Sequence, residues 1–298
     1  MEDESRIWQQ VTGVALGLAV LALASGYLGW LHPLGDSMAV GRGAAAAAVL
    51  MLAVFASFAG LRMAAFVSML LAMLTGGQVV LAYSWPGLSG NYTVYQKNIL
   101  FRNDALPALA EDIRKAQPDI VTFQEVLPGN QVWMDTLKDV LPHQLLCPGG
   151  VVGGPAILTA LPPVKGTAFC APGLAVMQVV GGSADFPKPF WVVSVHLRWP
   201  WPYQQADQVQ LLLPVLDKLK GPAVMAGDFN MVRWANSVKS MSDILGVNPA
   251  GPTVGSYVGL SQVLPLPIDH VFSTGGGRVS LRPAAGSDHL GLLAKVSL

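Results

Sequence analysis

The first 85 residues are dominated by three long apolar stretches. Each one reaches the roughly 20 apolar residues that a helix needs to cross the hydrocarbon core of a bilayer. Between Arg6 and Tyr83, only Asp36, Arg42 and Arg62 carry a formal charge. A His-Pro-Leu-Gly segment separates the first stretch from the second, and a tight turn precedes the third. The pattern predicts a transmembrane anchor over residues 1–85 with three helices, at about 11–30, 43–61 and 63–83.

Residues at the ends of these stretches indicate how the anchor sits in a membrane. Aromatic side chains prefer the headgroup layer, and four lie at segment ends, namely Trp8, Trp30, Tyr83 and Trp85. The acidic start at 2–4 argues against a cleavable signal peptide, whose first residues are basic. With three crossings, Arg6 and Arg62 lie on one side and Arg42 on the other. This slight excess predicts a cytoplasmic N-terminus and an extracytoplasmic position for residues 86–298.

Residues 86–298 carry short strand patterns and two helical ones. Apolar residues recur at helical spacing over 106–116 and 204–219. Strand-like runs are found at 92–99, 119–125, 156–159, 174–180, 190–197, 223–226, 268–272 and 292–296. Because strands and helices mix without strict alternation, the pattern predicts an α/β fold, a two-layer β-sandwich flanked by helices. In such a fold, polar residues at strand ends can converge on one rim.

Composition limits the classes of partner. The chain is 52% hydrophobic and 12% charged, against about 25% charged residues in an average soluble protein. The excess of apolar residues lies in the anchor. Residues 84–298 hold 15 of the 18 Lys and Arg and 14 of the 18 Asp and Glu. They lack the basic excess with which proteins displace counterions from nucleic acid, so long nucleic acid is not the favoured partner.

The chain contains two cysteines, Cys147 and Cys170. They show no Cys-x-x-Cys spacing, so neither a zinc site nor a thioredoxin-type motif is indicated. Two interpretations remain open: a disulfide, which requires an oxidising compartment, or two small buried thiols.

Polar residues lie at or near the ends of six predicted strands or loops. Burying carboxylate, amide or imidazole groups there without partners would be costly, so their recurrence indicates a function. Taken singly, each also has a structural explanation, as a turn former, a strand-end carboxylate or a hydrogen-bonded core imidazole. In chain order they are Asn98, Glu125, His196, Asp228 with Asn230, Asp269 with His270, and Asp288 with His289.

In this order, the motifs resemble those of the endonuclease/exonuclease/phosphatase family, and the resemblance covers about residues 92–298. It implies a metal-dependent phosphoesterase that uses Mg²⁺, with Mn²⁺ as an alternative, since both cations prefer oxygen ligands. It further implies that Glu125 is the principal metal ligand and that Asn98 and Asp288 contribute to the same metal site.

The same resemblance implies the catalytic roles. His289 would act as the general base or polarise the attacking water, and Asp269 would orient its ring. Asp228 and Asn230 would position the nucleophile and the phosphate, because a two-residue spacing at the end of a strand sends both side chains to one face. His196 would donate a hydrogen bond to the charge that develops in the transition state.

The segment directly after His196 is rich in aromatic residues. Residues 198–203 contain two tryptophans and a tyrosine. Three interpretations remain open: a packed loop, a platform for nucleic-acid bases, or an interfacial belt that touches lipid headgroups. Arg198, Trp199 and His270 are the predicted substrate-binding residues.

One function is favoured among three. An anchor restricts the enzyme to substrates at the bilayer surface, so we expect hydrolysis of a phosphoester or pyrophosphate bond in a membrane-associated lipid. The expected partners are the bilayer and a lipid-linked phosphate. A membrane-tethered nuclease and an inactive binding domain are the alternatives. The expected location is a membrane that the chain crosses several times, in particular a bacterial inner membrane.

Overall fold

The computed structural model describes residues 2–182 and 187–298. Two of its N-terminal helices are each long and apolar enough to cross a membrane, and a bent pair is a third candidate if it is counted as one span. The two long helices are α1 and α4, and the pair, bent by 71°, is α2 with α3. Their bounds are α1 (Glu2–Ser25), α2 (Pro33–Val40), α3 (Arg42–Phe58) and α4 (Arg62–Ser84).

The first helix is displaced from the predicted stretch 11–30. It begins at Glu2, because polar residues continue a helix as well as apolar ones do, and it ends at Ser25. A close approach of two chain segments follows it. A Cβ atom added to Gly35 would lie 2.4 Å from backbone atoms of Leu28 and Gly29. The glycine therefore lets α2 pack directly against the turn after α1.

The segment at 32–35, predicted to separate the first two apolar stretches, also begins helix α2. The His32 ring accepts a hydrogen bond from the Leu34 amide (3.1 Å), and Pro33 occupies the first helical turn, where no intrahelical N–H is needed. The following helix α3 has 17 residues, or about 25 Å, which is shorter than the predicted stretch 43–61 and than a typical hydrocarbon core of ~30 Å.

Helices α1, α3 and α4 pack as a small bundle. Its buried side chains are mostly alanines, which let the backbones approach closely. At one end of the bundle Gly60 lies near Gln9. At the other end the Tyr27 hydroxyl donates to Gln78 (3.0 Å), and the Arg42 guanidinium lies over the Tyr27 ring. The C-terminal ends of α1 and α4 therefore lie at the same end of the bundle as α2. The buried side chains include Ala46, Val49, Ala53, Ala56, Ala65 and Ala72.

The described part of the remaining chain contains twelve strands in one curled, mixed sheet, in the order β3-β4-β2-β1-β12-β11-β9-β10-β8-β7-β6-β5. Strand β9 joins two halves, because it pairs parallel with β11 and antiparallel with β10. The bounds are β1 (Tyr92–Asn98), β2 (Ile120–Val126), β3 (His143–Leu146), β4 (Gly154–Thr159), β5 (Phe169–Ala171), β6 (Leu174–Gly182), β7 (Pro187–His196), β8 (Ala223–Asp228), β9 (Asn248–Gly251), β10 (Asp269–Ser273), β11 (Gly277–Arg282) and β12 (Gly291–Val296).

The two halves of the sheet pack face to face, and helices cover their outer sides. Val94 and Ile157 of one half and Val192 and Val224 of the other are fully buried between them. Outer helices pack on each half through separate apolar clusters. The predicted two-layer sandwich is confirmed, with the two layers formed by one curled sheet. The helices are α5 (Leu106–Ala116) and α6 (Gln131–Asp135) on the first half, and α7 (Gln205–Leu216) and α8 (Asn236–Leu245) on the second.

Cys147 and Cys170 form a disulfide, so the interpretation as free thiols is wrong. Cys147 follows β3 and Cys170 lies within β5. These two strands are the ends of the strand order. The bond therefore ties together the two outer edges of the curled sheet.

The helix bundle docks on the second half of the sheet through α2. The Asp36 carboxylate accepts hydrogen bonds from the backbone amides of Asn236 (2.7 Å) and Ser237 (2.9 Å) at the start of α8. The Trp234 indole donates to the Ala39 carbonyl (2.9 Å). Because Asp36 satisfies free amides and meets the positive end of the α8 dipole, this contact fixes one end of the bundle on the sandwich.

Candidate active site

The polar residues predicted at strand ends meet at one rim of the sandwich. Register places His196 beside Asp228 in the parallel pair β7–β8, and Asp269 beside Asp228 in the antiparallel pair β8–β10. In the other half, Asn98 lies at the end of β1 beside Gln124 of β2. Since β1 packs across the interior from β8 and β10, the strand ends of both halves face one another.

A single amide connects the two halves at this rim. The Asn98 side chain donates from Nδ2 to Glu125 Oε1 (3.1 Å) and to Asp228 Oδ2 (3.0 Å). Its Oδ1 accepts from the Leu100 amide. The second oxygen of Glu125 accepts from the Phe101 amide (3.1 Å). Asn98 therefore holds two carboxylates at a fixed separation, with its amide nitrogen toward both.

Backbone strain is concentrated around the same carboxylates. Glu125 has φ +61° at a bulge in β2, Asn230 has φ +48° and Leu100 has φ +60°. Residues other than glycine rarely adopt this left-handed region, and the strain persists only where the surroundings enforce it. At the bulge, the extra residue turns Glu125 out of the regular alternation of β2.

Asp269 and His289 form a buried hydrogen-bonded pair. The distance from Asp269 Oδ2 to His289 Nδ1 is 2.7 Å. The carboxylate also accepts from the Ser256 hydroxyl (2.6 Å) and the Gln96 amide (2.9 Å). Burial alone would raise the pKa of Asp269, but the imidazole and these donors outweigh it and hold the pKa below its ordinary value. Asp269 is thus an ionised group that fixes the ring of His289.

The Nε2 atom of His289 points at the other carboxylate. It lies 3.7 Å from Asp228 Oδ2. Burial lowers the pKa of His289, but the charges of Asp269 and Asp228 outweigh burial and raise the pKa to about 9. The Tyr257 ring packs against the imidazole, with ring centroids 4.8 Å apart. His289 therefore has one fixed orientation, with Nε2 free to face a reactant.

Asp228 and His196 lie next to one another, and burial shifts their pKa values in opposite directions. Burial raises the pKa of Asp228 to about 7, although His289 and the donors around it act in the other direction. Burial lowers the pKa of His196, and this effect outweighs the negative charge of Glu125, which raises it. His196 Nε2 lies 3.9 Å from Asp228 Oδ2, beyond hydrogen-bond distance. A neutral His196 can donate to or accept from a reactant between them.

Asn230 reaches the rim in another way than predicted. Strand β8 ends at Asp228, so the alternation of strand side chains does not extend to Asn230. Its backbone amide instead donates to Asp228 Oδ1 (2.8 Å), and its side-chain Nδ2 donates to the Leu197 carbonyl (2.8 Å). Asn230 thus supports Asp228 and the end of β7, and its role toward a phosphate stays a prediction.

His270 does not join the site. Neighbouring residues of a strand point to opposite faces, so the inward position of Asp269 sends His270 to the other face of β10. There its Nε2 lies 2.9 Å from the Met231 carbonyl, and its ring packs between Phe229 and Phe272. Burial lowers the pKa of His270 to about 4, so it is a neutral core residue. Its predicted role in substrate binding is not supported.

The remaining predicted residues lie around the rim. The half-buried Asp288 precedes His289, and its carbonyl accepts from the Val258 amide (2.9 Å). Trp199 packs edge-on against Tyr257, with ring centroids 5.8 Å apart, so it lies one ring away from His289. The exposed Arg198 donates to the Gln204 side chain (2.7 Å) within its own loop. The structure does not bring the Arg198 guanidinium to the carboxylates.

Sequence reasoning missed a buried lysine beneath the site. Lys97 is fully buried, and its Nζ donates to the backbone carbonyls of Pro283, Ala284 and His289. Burial lowers the pKa of Lys97 to about 8, despite nearby carboxylates. The lysine therefore holds the loop that carries Asp288 and His289. The available signal was a lysine inside the predicted strand 92–99, where a buried charge needs partners.

The donor set of the rim fits a hard divalent cation. One ligand atom from each of Asp228, Asp269 and His289 lies within 4.8 Å of the others. Asp269 and His289 are hydrogen-bonded to each other. The carboxylate oxygens of Asp228 and Glu125 are therefore the donors that remain for a cation. Burial raises the pKa of Asp228 to about 7, so its ionised form is disfavoured there and a bound cation would stabilise it. Carboxylate oxygens of this kind suit Mg²⁺ or Mn²⁺.

Comparison with known proteins places this fold and site in one family. The model of the endonuclease/exonuclease/phosphatase family matches residues 96–289, and the chain belongs to that family. It is therefore a hydrolase that acts on phosphoester bonds, in a superfamily of metal-dependent phosphoesterases and nucleases. No curated protein sequence matches the chain.

Three solved structures illustrate the shared fold. An endonuclease/exonuclease/phosphatase from Beutenbergia cavernae DSM 12333 is 20% identical, with a TM-score of 0.53, over 68% of this chain and 70% of that one. Truncated TDP2 from Caenorhabditis elegans is 16% identical, with a TM-score of 0.51, over 68% of this chain and 96% of that one. SmcL is 14% identical, with a TM-score of 0.51, over 70% and 99%. At these identities the similarity shows a shared fold and does not assign a substrate.

Proposed function

We propose that this protein is a membrane-anchored, divalent-metal-dependent phosphoesterase that hydrolyses a phosphoester or pyrophosphate bond in a membrane-associated lipid. One observation carries the choice of substrate class: the loop that borders the site also touches the membrane helices. This aromatic loop, residues 198–203, follows His196. Its Trp201 carbonyl accepts from the Ser37 hydroxyl of α2 (2.9 Å), and the Trp201 ring lies 6.3 Å from the His32 ring.

A second loop at the rim also contacts both the active site and the helix bundle. This rim loop, residues 255–266, carries Tyr257 against His289, and it follows Thr253, whose amide donates to the Ala82 carbonyl of α4 (2.9 Å). Its tip exposes Leu260 (72%), Val263 (86%) and Leu264 (76%). An exposed apolar tip is costly in water and is stabilised by a lipid phase. Both loops thus favour a substrate that is held in the bilayer.

The chemistry follows from the residues at the rim. Glu125 and Asp288, with Asp228 beside them, would hold the metal, which would supply a Lewis acid for the phosphoryl oxygens. Asn98 would support this site by fixing the carboxylates of Glu125 and Asp228. A cation bound nearby would lower the pKa of His289, because it disfavours the charged ring. The neutral His289 would then accept the proton of the attacking water at Nε2, while Asp269 keeps the proton on Nδ1. Asp228 would orient that water, and His196 would donate to the developing charge on the phosphoryl group.

The catalytic domain is proposed to face an oxidising compartment outside the cytoplasm. The disulfide between Cys147 and Cys170 supports this side, because such bonds persist outside the reducing cytosol. The arginine distribution of the anchor, with Arg6 and Arg62 at one end and Arg42 at the other, points the same way. Labelling tests the side: in intact cells, a membrane-impermeant reagent or protease should reach residues 86–298, and a domain protected until lysis would contradict it.

Activity assays on the full-length protein separate the functions. Purified protein with Mg²⁺ should release phosphate from a lipid mono- or diphosphate in mixed micelles, and EDTA should stop the reaction. Glu125→Ala should lose at least ~100-fold of this turnover. Single- and double-stranded DNA are assayed in parallel. Hydrolysis of DNA alone would reject the lipid substrate and favour a tethered nuclease, and no hydrolysis of any phosphoester would favour a binding domain.

A further inference from the structure

A groove at the end of the last membrane helix lies outside the active site. It has a volume of about 540 Å³ and is lined by Gln78, Leu81, Ala82 and Trp85 of the α4 end and by Arg233 of the sandwich. Leu81 and Trp85 are 59% and 60% exposed. None of these residues takes part in the proposed reaction. The groove therefore calls for a separate explanation.

The charge in this groove is incompletely paired. A guanidinium has five N–H donors. Arg233 uses Nη2 to donate to the Ala82 carbonyl (2.7 Å) and Nη1 to donate to the Ala250 carbonyl (3.4 Å). Over the ranges 2–182 and 187–298, no carboxylate pairs with it, whereas Arg114 and Arg282 each pair with an aspartate. Burial lowers the pKa of Arg233 to about 10, so it remains charged at neutral pH.

A second donor lies on the same wall. The Tyr27 hydroxyl donates to Gln78 Oε1 (3.0 Å), which fixes the side-chain amide by its oxygen. The two N–H groups on Gln78 Nε2 have no protein acceptor within the described ranges. The half-buried guanidinium and the exposed Gln78 amide thus both present N–H donors in one groove, and an anionic oxygen ligand can accept from both.

The position of the groove at the C-terminal end of α4 indicates which kind of ligand fits it. Gln78 and Leu81 belong to a helix long enough to span a membrane, and α4 ends at Ser84. In the proposed anchored protein, the groove therefore lies where the apolar part of the bilayer meets its headgroups. Trp85 is a residue that prefers this layer. A ligand here meets charge at one end and exposed apolar helix surface at the other.

We propose that this groove binds an anionic phospholipid, with its phosphate on Arg233 and Gln78 and its acyl chains along α4. Arginine suits the task because its planar fork binds two phosphate oxygens at once, and cationic pockets beside membrane helices bind anionic headgroups on the same principle. The proposal rests on the membrane anchoring in the proposed function and is independent of the reaction. The bound lipid would brace α4 against the sandwich at Ala82.

Lipid binding by the full-length protein in neutral detergent micelles tests this site. Titration with phosphatidylglycerol, followed by native mass spectrometry, should give saturable binding, and phosphatidylcholine should bind more weakly. Arg233→Gln should weaken phosphatidylglycerol binding by about ten-fold or more, as expected for the loss of a charge-assisted contact. Arg114→Gln removes the same charge from α5 and should leave binding unchanged.

Two further variants keep the test decisive. Gln78→Glu retains an oxygen for Tyr27 on an exposed residue but adds a negative charge, so it should weaken binding even if Arg233→Gln fails to fold. Glu125→Ala should bind phosphatidylglycerol normally, which separates this site from catalysis. Equal affinity of the wild-type and Gln78→Glu proteins would overturn the proposal, as would equal binding of phosphatidylcholine. Competition by inorganic phosphate alone at similar concentration would show a simple anion site and also overturn it.

Discussion

At the residue scale, the active site depends on a few side chains that each satisfy several others. Asn98 holds Glu125 and Asp228, and Asp269 receives donors from His289, Ser256 and Gln96. Buried polar groups of this kind are stable only when their partners are complete. Removal of one partner is therefore expected to disturb the others.

The pair of Asp269 and His289 gives the clearest test of this dependence. In Asp269→Asn, an amide replaces the carboxylate, so the ring loses its fixed proton on Nδ1 and its charge support. We expect turnover of the lipid phosphate to fall by about 100-fold or more, with little change in KM. Steady-state kinetics measures both. Asp243→Asn on the exposed face of α8 is the control, and equal turnover of Asp269→Asn and wild type would contradict the assignment.

The charge state of His289 is a second prediction at this scale. Its folded pKa of about 9 lies above the ordinary value, so the charged ring stabilises the metal-free protein below pH ~6.5 and loses this contribution as pH rises through 9. Carbon-13 NMR of labelled histidines, with His289→Gln for assignment, should give a midpoint above 6.5 in EDTA. Mg²⁺ should lower it, because a nearby cation disfavours imidazolium. A midpoint at or below 6.5 in EDTA would refute this.

Sequence patterns identified the rim residues because acids and imidazoles at the ends of apolar strands are rare without a function. They could not identify Lys97 or Ser256 as supporting residues. The acceptors of Lys97 are backbone carbonyls that lie about 190 positions away in the chain, and a carbonyl leaves no trace in the sequence. His270 follows Asp269 in the motif, but the alternation of strand side chains places it on the other face of β10.

At the element scale, strong periodic patterns were predicted well and the shortest strands were not. The helix over 106–116 has the predicted bounds, and the central strands differ by a few residues. Strands β3, β5 and β9 have three or four residues each, too few for a pattern to show. Helix α8 is rich in serine and was missed, because its stability comes from packing and from the Asp36 carboxylate more than from intrinsic propensity.

The contact between α2 and α8 can be tested through Asp36. Asp36→Ala removes the acceptor for two backbone amides at the start of α8, so we expect the full-length protein to lose about 1–3 kcal/mol of stability. Thermal unfolding in detergent measures this loss. Asp243→Ala lies on the same helix in an exposed pair with Lys239 and should change stability by less than about 0.5 kcal/mol. Equal effects of the two variants would show that Asp36 does not cap α8.

At the scale of the whole molecule, the disulfide closes the curled sheet by joining the strands at its two ends. The closed loop is 23 residues long, so in the chain-entropy model the bond stabilises the fold by about 3 kcal/mol. The Cys147→Ser/Cys170→Ser variant should therefore unfold at lower temperature than the oxidised wild type, and reductant should lower the wild-type value toward it. Insensitivity of the wild-type midpoint to reductant would indicate that the bond contributes little.

The two loops lie between the site and the helix bundle, which fits the proposal that a membrane takes part in substrate capture. Leu260→Ser/Leu264→Ser removes apolar surface from the rim loop without altering any group at the carboxylates. We expect the apparent KM for a lipid phosphate in vesicles to rise about ten-fold, because each leucine contributes apolar contact with lipid, while turnover of a soluble phosphoester stays unchanged.

The matched control is Val132→Ser on α6, which removes an equally exposed apolar side chain from the outer side of the first half of the sheet. If surface apolarity in general attracts vesicles, both variants should lose activity alike, and the rim loop would have no special role. If only the loop variant loses vesicle activity and keeps soluble activity, the tip acts on access and not on chemistry. That outcome would connect the exposed leucines, which fold stability does not explain, with the proposed anchoring of the site at the bilayer.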